Sequence, residues 1–388
     1  MAAALEQERS DFESDVLAAI DVWVEKALRP VAKHFDHRDE YPTDIVEQMK
    51  ELGLFGATIA TEYGGLGLSA STYARIVLSM SSVWMAPVGI FNSHLIMAAC
   101  VQRHGTETQK KHWLPRFATG ELRGGIGLTE PNAGTDLQSI RSTARRDGDH
   151  YLINGTKTWI TNGVYGSVFG VLVKTDPNAT PRHKGMSMFL CEKGPGFEST
   201  KKIRKLGYKA IDSAELVFDN HRVPASQLIG GEEGQGFKQA IAGLELGRIN
   251  VAARGAGIAQ GALSEALRYA QQRETFGKPI AQHQAIQLKL ADMATRVEAS
   301  KLLIEQAARK YDTGERCDLE SSMAKLFASE AGVENSLEAM RIFGGYSYST
   351  DFDIERFYRD APLMCIGEGT NEMQRIIIAR QLLERNPI

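Results

Sequence analysis

Apolar side chains recur along residues 282–311 with the spacing of a single helical face: Ile286, Leu290, Met293, Val297, Ile304, Ala308 and Tyr311. No proline or glycine interrupts that run, which predicts one helix of about 45 Å at 1.5 Å per residue. A helix of that length suits a bundle and a face between subunits. The same period marks Ile45, Met49 and Leu52 in "TDIVEQMKELGLFG", with Gly53 placed to stop the helix. "TYARIVLSMSS" and "SHLIMAACVQRHG" read as buried helices. "TETQKKHWLPRFATGE" reads as a short helix, a proline turn and a glycine exit.

The period changes between about 121 and 236. "HYLINGTKTWITNG" carries β-branched and aromatic residues with Asn-Gly punctuation, which predicts strand and hairpin. "VFGVLVKTD", "GMSMFLCEKG" and "SAELVFDNHRVP" are further strands, and helical spacing returns from about 237. The expected fold class is α+β, mainly α. A helical domain (1–120) comes first, then a β domain (121–236), then a helical-bundle domain (237–388).

Composition narrows the picture without fixing it. The 388 residues are 43% hydrophobic and 24% charged, as in ordinary globular proteins. A formal net charge of -3, with Lys and Arg spread along the chain, gives no nucleic-acid footprint. Cys100, Cys191, Cys317 and Cys365 lie far apart and offer neither a zinc cluster nor a disulfide framework. The acidic start "MAAALEQERSDFESD" lacks a signal-peptide apolar core, and no apolar run reaches the roughly 18–20 residues of a membrane span. A cytoplasmic protein with reduced thiols and no bound metal is the expectation.

Chemistry concentrates in a few stretches. "GGEEGQG" (230–236) has too little around it for a dinucleotide fingerprint, which needs a preceding parallel strand, and reads as a turn. "GLTEPNAGTD" (127–136) can present backbone N–H groups and hydroxyls to a ligand, or be a surface loop with an N-cap. "TKTWITNG" (156–163) sets Trp159 beside Thr161, which fits a core tryptophan as well as a ligand wall. "RETFGKPIAQHQ" (273–284) breaks a helical region and carries Arg273, His283 and Gln284. In "CIGEGTNEMQR" (365–375) a carboxylate, Glu368, stands between two glycines, a step that is poor helix and poor strand. It is either a helix N-terminal acid or a reactive group.

Taken in order on this layout, five segments resemble the acyl-CoA dehydrogenases over nearly the whole chain: "GLTEPNAGTD", "NGTKTWITNG", "RETFGKPIAQHQAIQ", "RIFGGYSYSTDFDIERFYRDAP" and "GEGTNEMQRIIIAR". The resemblance implies a small middle β-barrel or sandwich, a C-terminal four-helix bundle, and FAD bound without a Rossmann fingerprint. It places Leu128, Thr129, Gly134 and Thr135 against the flavin or the thioester end of the substrate. Trp159, Ile160 and Thr161 would lie along the flavin ring. Arg273, Thr275 and Phe276 would reach a neighbouring subunit's FAD, with His283, Gln284, Gly344, Gly345, Thr370 and Glu372 as further cofactor contacts. Thr175, Glu245 and Arg248 match segments that touch coenzyme A, and Gly367 and Gly369 let backbone approach the acyl group.

By the same match Glu368 is the base that removes the proton α to the thioester while hydride leaves the β-carbon for the flavin. Desolvation strengthens a carboxylate for that task. Some family members carry the acid immediately before the arginine matching Arg248, where this chain has Gly247. The implied partners are an acyl-CoA substrate, an electron-transferring flavoprotein and a homotetramer arranged as a dimer of dimers. A flavin oxidase using O₂ and a non-enzymatic assembly protein are the competing readings. Two departures bear on substrate. Gly367 replaces a frequent bulky aromatic, which predicts room for a branched or cyclic acyl group. Segment 84–95, "WMAPVGIFNSHL", has no Lys or Arg and only His94 as an ionisable group, which argues against a dicarboxylic acyl group. Arg341 stands where glutamine is frequent, and either contacts flavin phosphate or turns to solvent.

Overall fold

The computed structural model describes the backbone of residues 2–388 and side chains from residue 7 onward. Helix α1 (Ala2–Trp23) passes through one wide turn (Val24–Leu28) into α2 (Arg29–Arg38), and α3 (Thr43–Glu51), α4 (Ala70–Ser81), α5 (Ala86–His104) and α6 (Glu107–Ala118) follow. Seven strands come next: β1 (Gly124–Gly127), β2 (Thr143–Asp147), β3 (His150–Thr161), β4 (Val168–Lys174), β5 (Met186–Glu192), β6 (Phe197–Ser199) and β7 (Ser213–Pro224). The last part is α7 (Gly236–Gln272), a small β8–β9 hairpin (Glu274–Thr275 and Lys278–Pro279), α8 (Gln284–Asp312), α9 (Asp318–Phe343), α10 (Ile354–Ile366) and α11 (Asn371–Arg385). The helix–sheet–helix order is the one that the hydrophobic period predicts.

Local chemistry explains many of the boundaries. Gly53, at φ +71°, ends the α3 region in the left-handed conformation that glycine adopts freely. The Ser69 side chain caps α4 by accepting from Thr72 N–H at 3.1 Å. The carboxylate of Asp312, the last residue of α8, accepts from Ala70 N–H at 2.6 Å and Ser71 N–H at 3.1 Å. That contact fastens the C-terminal bundle to the N-terminal helices. The stripe on α8 faces inward as its spacing requires: Met293, Val297, Ile304 and Ala308 are buried, with Ile286, Leu290 and Tyr311 at the margin.

The sheet forms two blocks, β1–β4–β5 and β2–β3–β7–β6, that meet at the single pair Thr143–Lys174. Phe169, Val171 and Phe189 from the first block pack with Ile153, Leu216 and Phe218 from the second in one apolar core. The arrangement is sandwich-like, as expected.

Helix α7 is the axis of the molecule and packs against α4, α5, α8, α9 and α10. Its glycines permit this. A Cβ at Gly255 would lie 2.6 Å from Ala328 O of α9, and one at Gly257 2.6 Å from Leu78 O of α4.

Two local expectations need correction. Pro115 does not end a helix but lies inside α6, held by the Thr106–Gln109 capping box and by burial of Trp113, Leu114 and Phe117. Tertiary packing there outweighs the lost backbone donor. The Asn154-Gly155 step is not a turn: β3 runs through it as a bulge, with Gly155 at φ +142° against Ser142. The real hairpin turn is Gly148–Asp149, between Asp147 and its partner His150. Strands β1 and β6 carried no alternation strong enough to predict them.

Candidate active site

The link between α10 and α11 is Gly367–Thr370. Within it Glu368 has φ +54°, a left-handed conformation that costs a non-glycine residue about 1–2 kcal/mol. Gly369 follows at φ +90°, and Thr370 caps α11 by accepting from Met373 N–H at 3.4 Å. Lys325 on α9 anchors both sides of the link, donating to Cys365 O at 3.3 Å and Asn371 Oδ1 at 2.8 Å. Burial pulls this lysine down to about 8. The strained backbone turns the Glu368 side chain inward, between α5 and α7.

There the carboxylate meets a set of polar groups. Its Oε1 accepts from Asn92 Nδ2 at 2.9 Å and from Arg254 Nη2 at 3.3 Å. Its Oε2 is buried and has no hydrogen-bond partner among the described residues. Behind Asn92 the chain continues: Tyr73 OH donates to Asn92 Oδ1 at 3.1 Å and accepts from Asn250 Nδ2 at 2.8 Å. Each member fixes the orientation of the next. Gly247 completes the site, because a Cβ there would stand 2.0 Å from Glu368 Oε2. The position of the rival base is thus empty so that the carboxylate can occupy the same space.

The electrostatics are opposed. Burial raises Glu368 above the ordinary carboxylate value, and Arg254, the Asn92 hydrogen bond, Lys325 and Arg248 pull it down without cancelling that effect. Arg248 is itself buried, its Nε has no partner among the described residues, and burial lowers its pKa. Glu245 pairs with Arg103 at 3.5 Å, and Thr175 Oγ1 lies 2.7 Å from Ser187 Oγ. His94 belongs to the core: its Nε2 lies 3.1 Å from Phe117 O, and burial lowers its pKa to about 4.

A second surface adjoins through β3. Trp159 sits on a register shift between Lys157 and Ile160 with φ +62°. That bulge turns the indole outward, 59% exposed, whereas the Ile160 side chain is buried in the sheet core. The bulge also carries Thr161 to the neighbourhood of Tyr208, where its hydroxyl and Arg254 together oppose the upward effect of burial on the phenol. The 127–136 loop is held beside it. Lys157 Nζ bonds Leu128 O at 3.2 Å and Glu130 Oε1 at 2.7 Å, and Glu130 also accepts from the N–H groups of Arg141 and Ser142. Leu128 is buried, Thr129 half-buried, and Gly134 and Thr135 are exposed on the loop.

The remaining cofactor candidates form a separate group. Arg273 lies over the Tyr346 ring at 5.7 Å, Thr275 Oγ1 is 3.1 Å from His283 Nε2, and Phe276 is 97% exposed. Gln284 opens α8 in solvent, and a Cβ at Gly344 or Gly345 would meet nothing within 4 Å. Arg341 pairs with Glu338 on its own helix. Glu372 lies outside this group: it is exposed next to Thr370, at the end of the link that carries Glu368. Among the described residues no hydrogen bond or ion pair joins this group to the one around Glu368.

These two groups fit an FAD. A bare aromatic on a strained bulge offers a wall for a flat ring. An exposed arginine beside glycines that leave open space offers a landing for phosphates. Sequence reasoning missed Asn92, Arg254, Tyr73, Asn250, Lys157 and Lys325. The one signal for Asn92 was an amide within the apolar run "VGIFNSHLIM".

Family models cover most of the chain: acyl-CoA dehydrogenase N-terminal domain at residues 10–121, middle domain at 125–221 and C-terminal domain at 234–383. An acyl-CoA dehydrogenase of Bacillus subtilis (strain 168) is 42% identical, over 92% of this chain and 94% of its own. A (2S)-methylsuccinyl-CoA dehydrogenase of Cereibacter sphaeroides is 38% identical, over 93% of this chain and 68% of its own. The butyryl-CoA dehydrogenase of Megasphaera elsdenii superposes with a TM-score of 0.93 at 36% identity, covering 96% of this chain and 98% of that one. With the fold, the strained buried carboxylate and the residues that suit a flavin, these matches make the chain a member of the acyl-CoA dehydrogenase family, an FAD-dependent oxidoreductase.

Proposed function

We propose that the protein desaturates an acyl-CoA thioester at Cα–Cβ with Glu368 as the catalytic base. The observation that carries this reading is the free oxygen of Glu368: Oε2 is buried, unpartnered and pressed against the bare face of Gly247. An ionised carboxylate with one oxygen held and the other free is arranged to take a proton. Desolvation makes it a stronger base, and the Asn92 hydrogen bond fixes its direction. The N–H of Gly367 is taken by Leu363 O at 2.8 Å, which leaves those of Glu368 and Gly369 to polarise the thioester carbonyl. Bound FAD supplies the hydride acceptor. The first group, with Leu128, Thr129, Trp159 and Thr161, would hold its ring. The exposed second group, with Arg273, Phe276, Gly344 and Gly345, would hold the phosphates of an FAD shared with another copy of the chain. Arg248, Thr175 and Glu245 would lie along coenzyme A.

We further propose a homotetramer built from pairs that complete each other's sites, with electrons passing to an electron-transferring flavoprotein in the cytoplasm. No helix among the described residues is long and apolar enough to cross a membrane. The relatives act, by name, on both a plain and a carboxylate-bearing acyl group, so the family leaves the acyl chain open. Anaerobic mixing with CoA thioesters tests the reaction. Glu368→Gln is expected to retain FAD and lose flavin reduction by about 10²–10⁴-fold. Near-full reduction in that variant would move the base elsewhere.

A further inference from the structure

Arg254 sits awkwardly beside a base. Gly247, Asn250 and Arg254 are spaced three and four apart on α7 and turn the same face toward Glu368. Arg254 is 4% exposed, and among the described residues its buried Nε has no partner. Among the described residues its one hydrogen bond to a charged group is the 3.3 Å contact to Glu368, and the Tyr208 hydroxyl is a neutral neighbour. A guanidinium has five donors, and a buried cation is stable only when they are matched. The one match it does make weakens the base, because a neighbouring positive charge favours the ionised carboxylate. Tyr208, whose ring centroid lies 6.0 Å from the guanidinium carbon, supplies a face but no second charge.

We propose that Arg254 receives a carboxylate at the far end of the acyl group, and that the substrate class is the CoA thioester of a short dicarboxylic acid. The inference rests on the acyl-CoA reading above. It resolves both oddities. The incoming carboxylate takes the free donors in a two-pronged contact. It also neutralises the charge that holds Glu368 back, so the base reaches full strength only with the right acyl group bound.

Geometry sets the length. A base oxygen attacks from about 3–3.5 Å, and Arg254 is 3.3 Å from the other oxygen of the same carboxylate, Oε1. Allowing about 2.2 Å between the two carboxylate oxygens, the guanidinium lies within about 9 Å of Cα, which suits a carboxylate carried only a few carbons beyond Cα, as in a short dicarboxylic acid. The bare Gly367 leaves space for a methyl branch. Segment 84–95 argued against such a substrate because it has no cation, but α7 supplies one from the opposite wall. The chemistry balances as a desaturation: the α-proton goes to Glu368, the β-hydrogen leaves with its electron pair to the bound FAD, Cα=Cβ forms, and the distal carboxylate is retained.

The test is anaerobic stopped-flow reduction of the FAD-loaded protein by methylsuccinyl-CoA and glutaryl-CoA, against isovaleryl-CoA and butyryl-CoA. The wild type is expected to favour a carboxylate-bearing thioester by about 10²-fold or more. In Arg254→Gln that ratio should collapse by about 10²–10³-fold, chiefly through weaker binding, with Arg254→Lys between. A wild type that favours the uncharged thioesters overturns the proposal by itself and leaves the dehydrogenase reading standing. So does an unchanged ratio in a folded Arg254→Gln. If none of the four reduces the flavin, the acyl-CoA reading falls and this inference falls with it.

Discussion

Gly247→Ala separates the role of the active-site space from the stability of the fold. The new Cβ would stand 2.0 Å from Glu368 Oε2, 3.2 Å from its Cδ and 3.2 Å from Ile96 Cδ1. A carbon and an oxygen in contact need a little over 3 Å, so the carboxylate must retreat by about 1 Å. Its two hydrogen bonds, at 2.9 Å and 3.3 Å, are then lengthened or broken. A misplacement of about 1 Å at the reacting group costs on the order of 10²-fold in rate, or about 2.7 kcal/mol of barrier.

Stability should behave differently. Gly247 lies inside α7, where alanine is favoured over glycine by about 0.8–1 kcal/mol. The obstructing atoms belong to the end of a flexible side chain, so the helix itself need not move. The expected result is a well-folded, yellow protein whose thermal midpoint is close to that of the wild type and whose single-turnover flavin reduction is about 100-fold slower. The assay is anaerobic stopped-flow with whichever thioester reduces the wild type fastest, beside a melting curve. A variant that reduces within about threefold of wild type would refute the argument, because the carboxylate would not then need the space over Gly247.

Asn92→Leu removes the donor to Glu368 Oε1, so flavin reduction should slow by roughly tenfold. The acid limb of its pH profile should also move up, since a hydrogen bond to the charged form is lost. An unmoved limb would show that Asn92 only packs. Lys157→Met leaves Glu130 buried without its cation, and thermal stability should fall by about 3–5 kcal/mol, with weaker retention of FAD as the 127–136 loop loosens. Melting and flavin-release curves read both effects. His94 is held neutral, with its pKa near 4 against an ordinary 6.5. The unfolded chain thus binds the extra proton first. The stability His94 contributes is whole above pH 6.5 and is lost as pH falls toward 4, on the order of 3 kcal/mol. Comparing urea midpoints at pH 7 and pH 5 for the wild type and His94→Gln measures this, and equal losses in the two proteins would reject it.

The periodic parts of the molecule were legible in the sequence. The α8 stripe and strand β7 follow from spacing, because each buries a face whose period is fixed by backbone geometry, while α5, β4 and β5 are buried almost throughout and read as apolar runs between turn residues. Glu368 was legible because its flanking glycines contradict both helix and strand. Trp159 was legible by resemblance, while spacing alone suited a core residue. What no local pattern could show is the company Glu368 keeps. Asn92, Tyr73, Asn250 and Arg254 come from α5, α4 and α7, and the chain separates Asn92 from Glu368 by 276 residues. Such contacts exist only after packing. Pro115 and Asn154-Gly155 failed in the opposite sense: strong local signals were overruled by a capped, buried helix and by a bulge that seats Gly155 against Ser142.

The long-range set also explains why the acid belongs on the α10–α11 link when the helix offers a shorter route. A side chain at position 247 and the carboxylate of Glu368 claim the same volume, so the site holds one base at a time. An acid on α7 would be fixed by helix geometry. Glu368 instead hangs from a strained turn pinned by Lys325 and capped at Thr370. Its left-handed backbone costs about 1–2 kcal/mol, and its burial opposes ionisation. The cost of burial is offset in part, by the charge of Arg254 and the hydrogen bond from Asn92. With α7 relieved of the base, its face carries Asn250, which holds Tyr73 at 2.8 Å, and leaves Arg254 and Arg248 for the substrate roles proposed above. In the proposed mechanism the glycine at 247 is therefore as much a part of the arrangement as the glutamate that covers it.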